Sequence, residues 1–140
     1  MNAGIALHAI VAADDPVVRY RLDLALVAMG ATVRVAASGW ELLSLLADDA
    51  AVDIVIAEAA MAMPSGVDAL AMARTAGLTV PFVLLVGAGD DALRRTARRL
   101  RAAVVAEPIR GTELAREILA IVGASHERVP PSPQPPPPLL

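Results

Sequence analysis

Residues 52–66, VDIVIAEAAMAMPSG, decide the fold. They open as an apolar run rich in β-branched side chains, reach an acid at Glu58, and pass through a Met/Ala/Pro segment into Ser65-Gly66. A parallel strand covered on both faces reads this way when it stops at the carboxyl edge of a sheet, the edge where open α/β folds hold their ligands. Glu58 is therefore a candidate site residue, set against the plain alternative of a solvated acid that ends the strand.

On either side, strand and helix signals alternate. Ahead of it, the apolar residues 5–13, interrupted by His8 and closed by Asp14-Asp15-Pro16, predict a strand, a helix cap at Asp15 and a proline in the first turn. A helix over 17–29 gathers Val18, Leu22, Ala25, Leu26 and Met29 on one stripe and stops at Gly30. Residues 32–36 predict a second strand. Ser38 and Glu41 have capping-box spacing for a helix with Trp40, Leu42, Leu43, Leu45 and Leu46 on its apolar side, ended by Asp48-Asp49. After the strand at 52–57 comes a third helix, from Gly66 to Ala76-Gly77, and residues 80–86 (VPFVLLV) predict a fourth strand with both faces covered. Gly87-Ala88-Gly89 is a loop, Asp90-Asp91 favours a helix start, and 92–100 is a fourth helix. Residues 102–106 form a fifth strand closed by Glu107-Pro108, and 112–122 form the last helix. Five strands alternating with five helices imply an α/β fold, a doubly wound parallel sheet with helices on both faces.

Composition narrows the function. The 140 residues suffice for one domain, and although 56% are hydrophobic, no charge-free run approaches the length of a bilayer span. No Lys or Arg precedes the first apolar run and two acids follow it, so no secretory signal is expected. The lack of cysteine removes disulfides, thiolate chemistry and Cys-based metal sites, and is compatible with the cytoplasmic location expected here. A net charge of -3, from 15 acids and 12 basic residues, gives no general attraction to nucleic acid. All the basic residues are arginine, which excludes any mechanism needing an ammonium group from this chain. The folded domain is expected over residues 1–123. Residues 124–140 form a tail with seven of the 11 prolines, read as exposed, extended and disordered. A linker, a solubilising end and a ligand for an aromatic-lined groove are its other possible roles.

Several candidate sites reduce to structural roles. Gly87-Ala88-Gly89 lacks a third glycine and a Walker lysine and is read as a plain loop. His8, inside the first strand, and His126, at the entrance to the tail, are read as a buried satisfied histidine and an exposed one. Tyr20 is assigned to helix surface, and Trp40 to packing or partner contact. Arg94 and Arg98 share one face of helix four and Arg95 and Arg99 a neighbouring one, while Glu113 and Glu117 share a face of the last helix. These six are candidate partner-binding residues, against the alternative of a solvated face. The strongest constellation is acidic: Asp14 and Asp15 follow strand one, Glu58 strand three and Glu107 strand five, all at one sheet edge. Asp14 and Glu58 are the candidate metal ligands, with Mg²⁺ as the fitting hard cation.

As an ensemble, Asp14, Asp15-Pro16, Arg19, Gly30, Gly39, Gly66, Pro81 and Glu107-Pro108 resemble the receiver domain of two-component response regulators over most of the chain. The resemblance implies a CheY-like, flavodoxin-like sheet of order 2-1-3-4-5, and phosphoryl transfer from a histidine kinase to an aspartate assisted by Mg²⁺. It also implies that the site is largely dismantled. The first Mg²⁺-binding acid falls on Ala13 and the second on Asp14, while the acceptor aspartate falls on Glu58. The switch Thr/Ser falls on Val86, the aromatic switch on Val104 and the lysine on Glu107; Ala62 takes the place of the usual loop proline, with Pro64 two residues on. Replacing the lysine by Glu107 puts repulsion where transfer needs attraction, and Val86 offers no hydroxyl.

The expected function is a non-phosphorylatable pseudo-receiver, a regulatory or interaction module without enzyme activity or cofactor in phosphorelay signalling. Its expected partner is a histidine kinase or another regulator, with a homodimer possible through helix four, strand five and the last helix, and with neither nucleic acid nor membrane involved. The alternatives are a slow receiver phosphorylated on Glu58, helped by Arg101 or Arg110, and a Mg²⁺, Ca²⁺ or small-ligand sensor built on Asp14, Glu58 and Glu107.

Overall fold

The computed structural model describes residues 7–49 and 51–128. Five strands, β1 (His8–Ala12), β2 (Thr32–Ala36), β3 (Ile54–Glu58), β4 (Phe82–Val86) and β5 (Ala103–Ala106), alternate with α1 (Pro16–Ala28), α2 (Gly39–Asp48), α3 (Gly66–Thr75), α4 (Asp91–Arg99) and α5 (Gly111–Arg128). All the strands are parallel, in the order β2-β1-β3-β4-β5. That is the doubly wound α/β fold expected from the sequence, and register puts Glu58 beside Leu85 and Val86 beside Ala106 at the carboxyl edge.

The alternation of side chains along each strand divides the interior in two. Ile10, Val55, Ala57, Phe82, Leu84 and Val86 face Leu42, Leu46, Leu70 and Ala97, so α2, α3 and α4 cover one side. Ala9, Val11, Ile54, Ile56, Val83 and Leu85 face Leu22, Leu26, Leu114 and Ile118, so α1 and α5 cover the other. Every residue of β4 is buried, because it is internal to the sheet and helices lie on both faces.

Helix termini follow local chemistry. The Asp15 carboxylate accepts from the Val17 N–H at 2.9 Å and caps α1, which ends ahead of Gly30 at φ 85°. Ser38 Oγ accepts from the Glu41 N–H at 3.2 Å, but the Glu41 carboxylate reaches past the cap to the Ala37 N–H at 2.8 Å, so the box expected there closes one residue early. Ser65 and Asp68 make the full reciprocal box at α3. The last helix runs on to Arg128 rather than ending at 122. His8 is a correction: it is exposed, not buried, because it opens the strand at the amino edge, where its N–H donates to the Asp53 carboxylate at 2.7 Å. The proline-rich residues 129–140 lie outside the described residues.

Candidate functional site at the carboxyl edge

Glu58 ends β3 half-buried, on a floor of close backbone packing. A Cβ at Gly66 would overlap the Glu58 carbonyl oxygen and stand 2.8 Å from its carbon, and a Cβ at Gly39 would overlap the Pro64 carbonyl oxygen and stand 2.7 Å from Pro64 Cγ. Glycine at both positions lets the first turns of α2 and α3 close onto the loop that follows Glu58. The Ala62 N–H donates to Asp14 Oδ2 at 3.1 Å and ties that loop to the end of β1. Arg19 donates to the Ala13 carbonyl at 2.8 Å and holds the neighbouring turn.

Above this floor the pocket is anionic. Burial, then the field of Glu107, then that of Asp14 push the Glu58 carboxyl up to about 7, a contact with the Asp14 side chain adds to the rise, and the Asp15 backbone N–H opposes it. Glu58 Oε1 is buried without a hydrogen-bond partner. The Glu107 carboxyl is also raised, by burial first and by Asp15 second. Beside them Val86 is fully buried and Val104 half-buried, both packed under α4. Asp14, Asp15, Glu58 and Glu107 thus share one edge, with Asp15 committed to its cap and one Asp14 oxygen to the loop.

Among the described residues no three His, Asp or Glu side chains are grouped closely enough to hold one ion. With Ala13 in place of a further acid, the donor set does not fit the Mg²⁺ that the resemblance implies. Arg101 cannot serve this pocket: at φ 63° it lies in the turn between α4 and β5, at the opposite edge of the sheet. Arg110 lies just beyond Pro108, exposed, at the site's own edge.

The candidate partner surface is uneven. Arg95, Arg98 and Arg99 are exposed, whereas Arg94 folds back, half-buried, to donate to the Gly87 carbonyl at 3.4 Å, and its Nε has no partner. Glu113 is exposed and Glu117 half-buried on α5. Among the described residues the one ion pair is Arg34–Asp49 at 3.4 Å, so the α4 arginines meet no carboxylate of their own chain there.

Sequence reasoning passed over Arg74. Its guanidinium donates to the carbonyls of Leu100, Leu78 and Val80, each at 2.9 Å, and stands 5.4 Å from the centre of the Phe82 ring. Burial first, then Arg101, lower its pKa. An arginine near a helix end, with glycine three residues on at Gly77, was the available signal.

No protein-family model matches the chain, and no curated protein matches it. Solved structures do. A putative response regulator from Chloroflexus aurantiacus J-10-fl superposes with a TM-score of 0.78 at 25% identity, covering 85% of this chain and 99% of that one. A response regulator receiver domain protein from Clostridium thermocellum gives 0.81 at 21% identity over 86% and 98%, and the chemotaxis protein CheY4 of Vibrio cholerae gives 0.76 at 18% over 84% and 99%. The fold is that of a receiver domain. In a receiver fold the Glu58 edge is where the strands deliver their chemistry, and here it holds two raised carboxyls and a valine. Among the described residues no helix is long and apolar enough to cross a membrane.

Proposed function

We propose that the chain is a pseudo-receiver: a signalling module that docks a histidine kinase or another regulator through protein contacts and carries no phosphoryl group. The observation supporting this is the Glu58 pocket. A receiver needs an ionised acceptor next to a cation, and here burial and Glu107 hold the acceptor close to half-protonated at neutral pH. Charge that spreads in transfer would meet Glu107, and Val86 has no hydroxyl to offer the phosphoryl oxygens. What persists is the packing beneath the site, which preserves the shape of a docking domain.

The proposed docking face is α4 with β5 and α5. Arg95, Arg98 and Arg99 are exposed there and, among the described residues, meet no carboxylate, which favours an acidic partner surface and a fast, salt-sensitive encounter.

Two measurements test this. Incubation with acetyl phosphate and Mg²⁺ followed by intact-mass analysis is expected to show no adduct; a stoichiometric gain of about 80 Da, lost in Glu58→Ala, overturns it. Capture of a cognate kinase or regulator is expected to fall about tenfold in the double variant Arg95→Glu, Arg99→Glu. Undiminished capture removes the proposed face.

A further inference from the structure

On the outer side of α2, away from the Glu58 pocket, Val35, Trp40, Glu41, Ser44 and Leu45 line an open groove of about 330 Å³. Trp40, the one tryptophan of the chain, keeps 62% of its surface exposed, and Val35 keeps 41%. A large aromatic left in water forgoes more burial energy than almost any other side chain, so an exposed Trp in a lined groove marks a contact surface. Trp40 with Ser44, and Glu41 with Leu45, are four residues apart and form two adjoining rows on the helix. Val35 comes from β2, the edge strand of the sheet. One Glu41 oxygen accepts from the Ala37 N–H, and the carboxylate keeps lone pairs for a second donor.

This is the chemistry that receives a polyproline II segment: an aromatic face for the rings, apolar walls, and an acid for a basic residue at the segment's end. The chain itself carries such a segment. Residues 128–138 read RVPPSPQPPPP, with Arg128 two residues ahead of a Pro130-x-x-Pro133 spacing and a proline run at 135–138. Proline lacks an N–H and cannot extend the open edge of β2 by ladder pairing, so the segment suits the groove and not the strand beside it.

We infer that the proline-rich segment 128–138 of one copy docks in the Trp40 groove of a second copy, with prolines against Trp40, Val35 and Leu45 and Arg128 opposite Glu41. Docking between copies follows from where the two parts lie. Helices of a doubly wound sheet run against the strands, so α5 ends at the amino edge on the α1 side, whereas Trp40 opens α2 at the carboxyl edge on the other side.

The full-length chain tests this, because its single Trp sits in the groove. With rising concentration, Trp40 emission is expected to shift to shorter wavelength in step with an increase in sedimentation mass. A full-length variant with the seven tail prolines changed to alanine is expected to lose both. Trp40→Ala, at an exposed position that should not disturb folding, is expected to weaken self-association roughly tenfold. Glu41→Gln keeps the cap and removes the charge, and is expected to weaken it about two- to fivefold. Self-association unchanged in the proline variant or in Trp40→Ala overturns the inference. So does a proline-dependent emission shift that is independent of concentration, which would place the segment in the groove of its own copy.

Discussion

Beneath Glu58 the chain is packed to backbone contact, while above it a pocket gathers like charges with one buried oxygen left unpartnered. The two regions meet at the loop that follows Glu58. Gly39, Pro64 and Gly66 meet the demands of shape, and any side chain at the glycines is excluded; Asp14, Glu58 and Glu107 bring acids together beside the buried Val86. Shape at this edge is set by Gly39, Pro64 and Gly66 and charge by Asp14, Glu58 and Glu107, so the two rest on separate residues.

The largest effect should come from filling the floor. Gly66→Ala is expected to cost about 3 kcal/mol in urea unfolding, because its new Cβ meets the backbone of Glu58, which cannot swing aside. Gly87→Ala, with open space around its Cβ and no positive φ, should be close to neutral. Equal effects would show that the contact beneath Glu58 is not what fixes the floor. Next in size is Arg74→Met, expected to cost about 2 kcal/mol by leaving three carbonyls without their cation.

The pocket should respond to pH, and the sign is set by Glu58. Its proton is held more tightly in the fold than in the unfolded chain, so the associated stability is full below the ordinary carboxyl value of 4.5 and is lost as pH rises through about 7. The melting temperature is expected to fall from pH 5 to pH 8, and Glu58→Gln should flatten that fall. Glu107→Lys should flatten it in part by replacing a repulsive neighbour with an attractive one. A slope untouched by either variant would remove the pocket as its source. Smallest is Asp15→Ala, expected to cost about 1 kcal/mol as a lost helix cap.

Much of the architecture was legible because strand periodicity and caps are local signals. The run to Glu58, the five apolar strands, Asp15 at its cap and Gly30 at its helix end are visible without tertiary information. His8 was misjudged because an apolar run does not reveal where a strand's covered part begins. Gly39 and Gly66 were visible as matches of type, but the contacts that require them join segments distant in sequence. Arg74 was invisible for the same reason: its partners at Leu78, Val80 and Leu100 come together only when β4 and α4 are in place. At the carboxyl edge the sequence named the acids, and only the assembled strands show that Glu107 raises Glu58.

Arg74 also limits how α4 is able to move. By gripping the Leu100 carbonyl it pins the last turn of α4 to the start of β4, while the first turn leads out of the exposed Gly87-Ala88-Gly89 segment. Displacement of this helix is therefore a swing about a fixed carboxyl end. Amide exchange should accordingly slow from Leu93 toward Leu100, and the arginines nearest the free end, Arg94 and Arg95, should travel furthest when a partner pulls on the face.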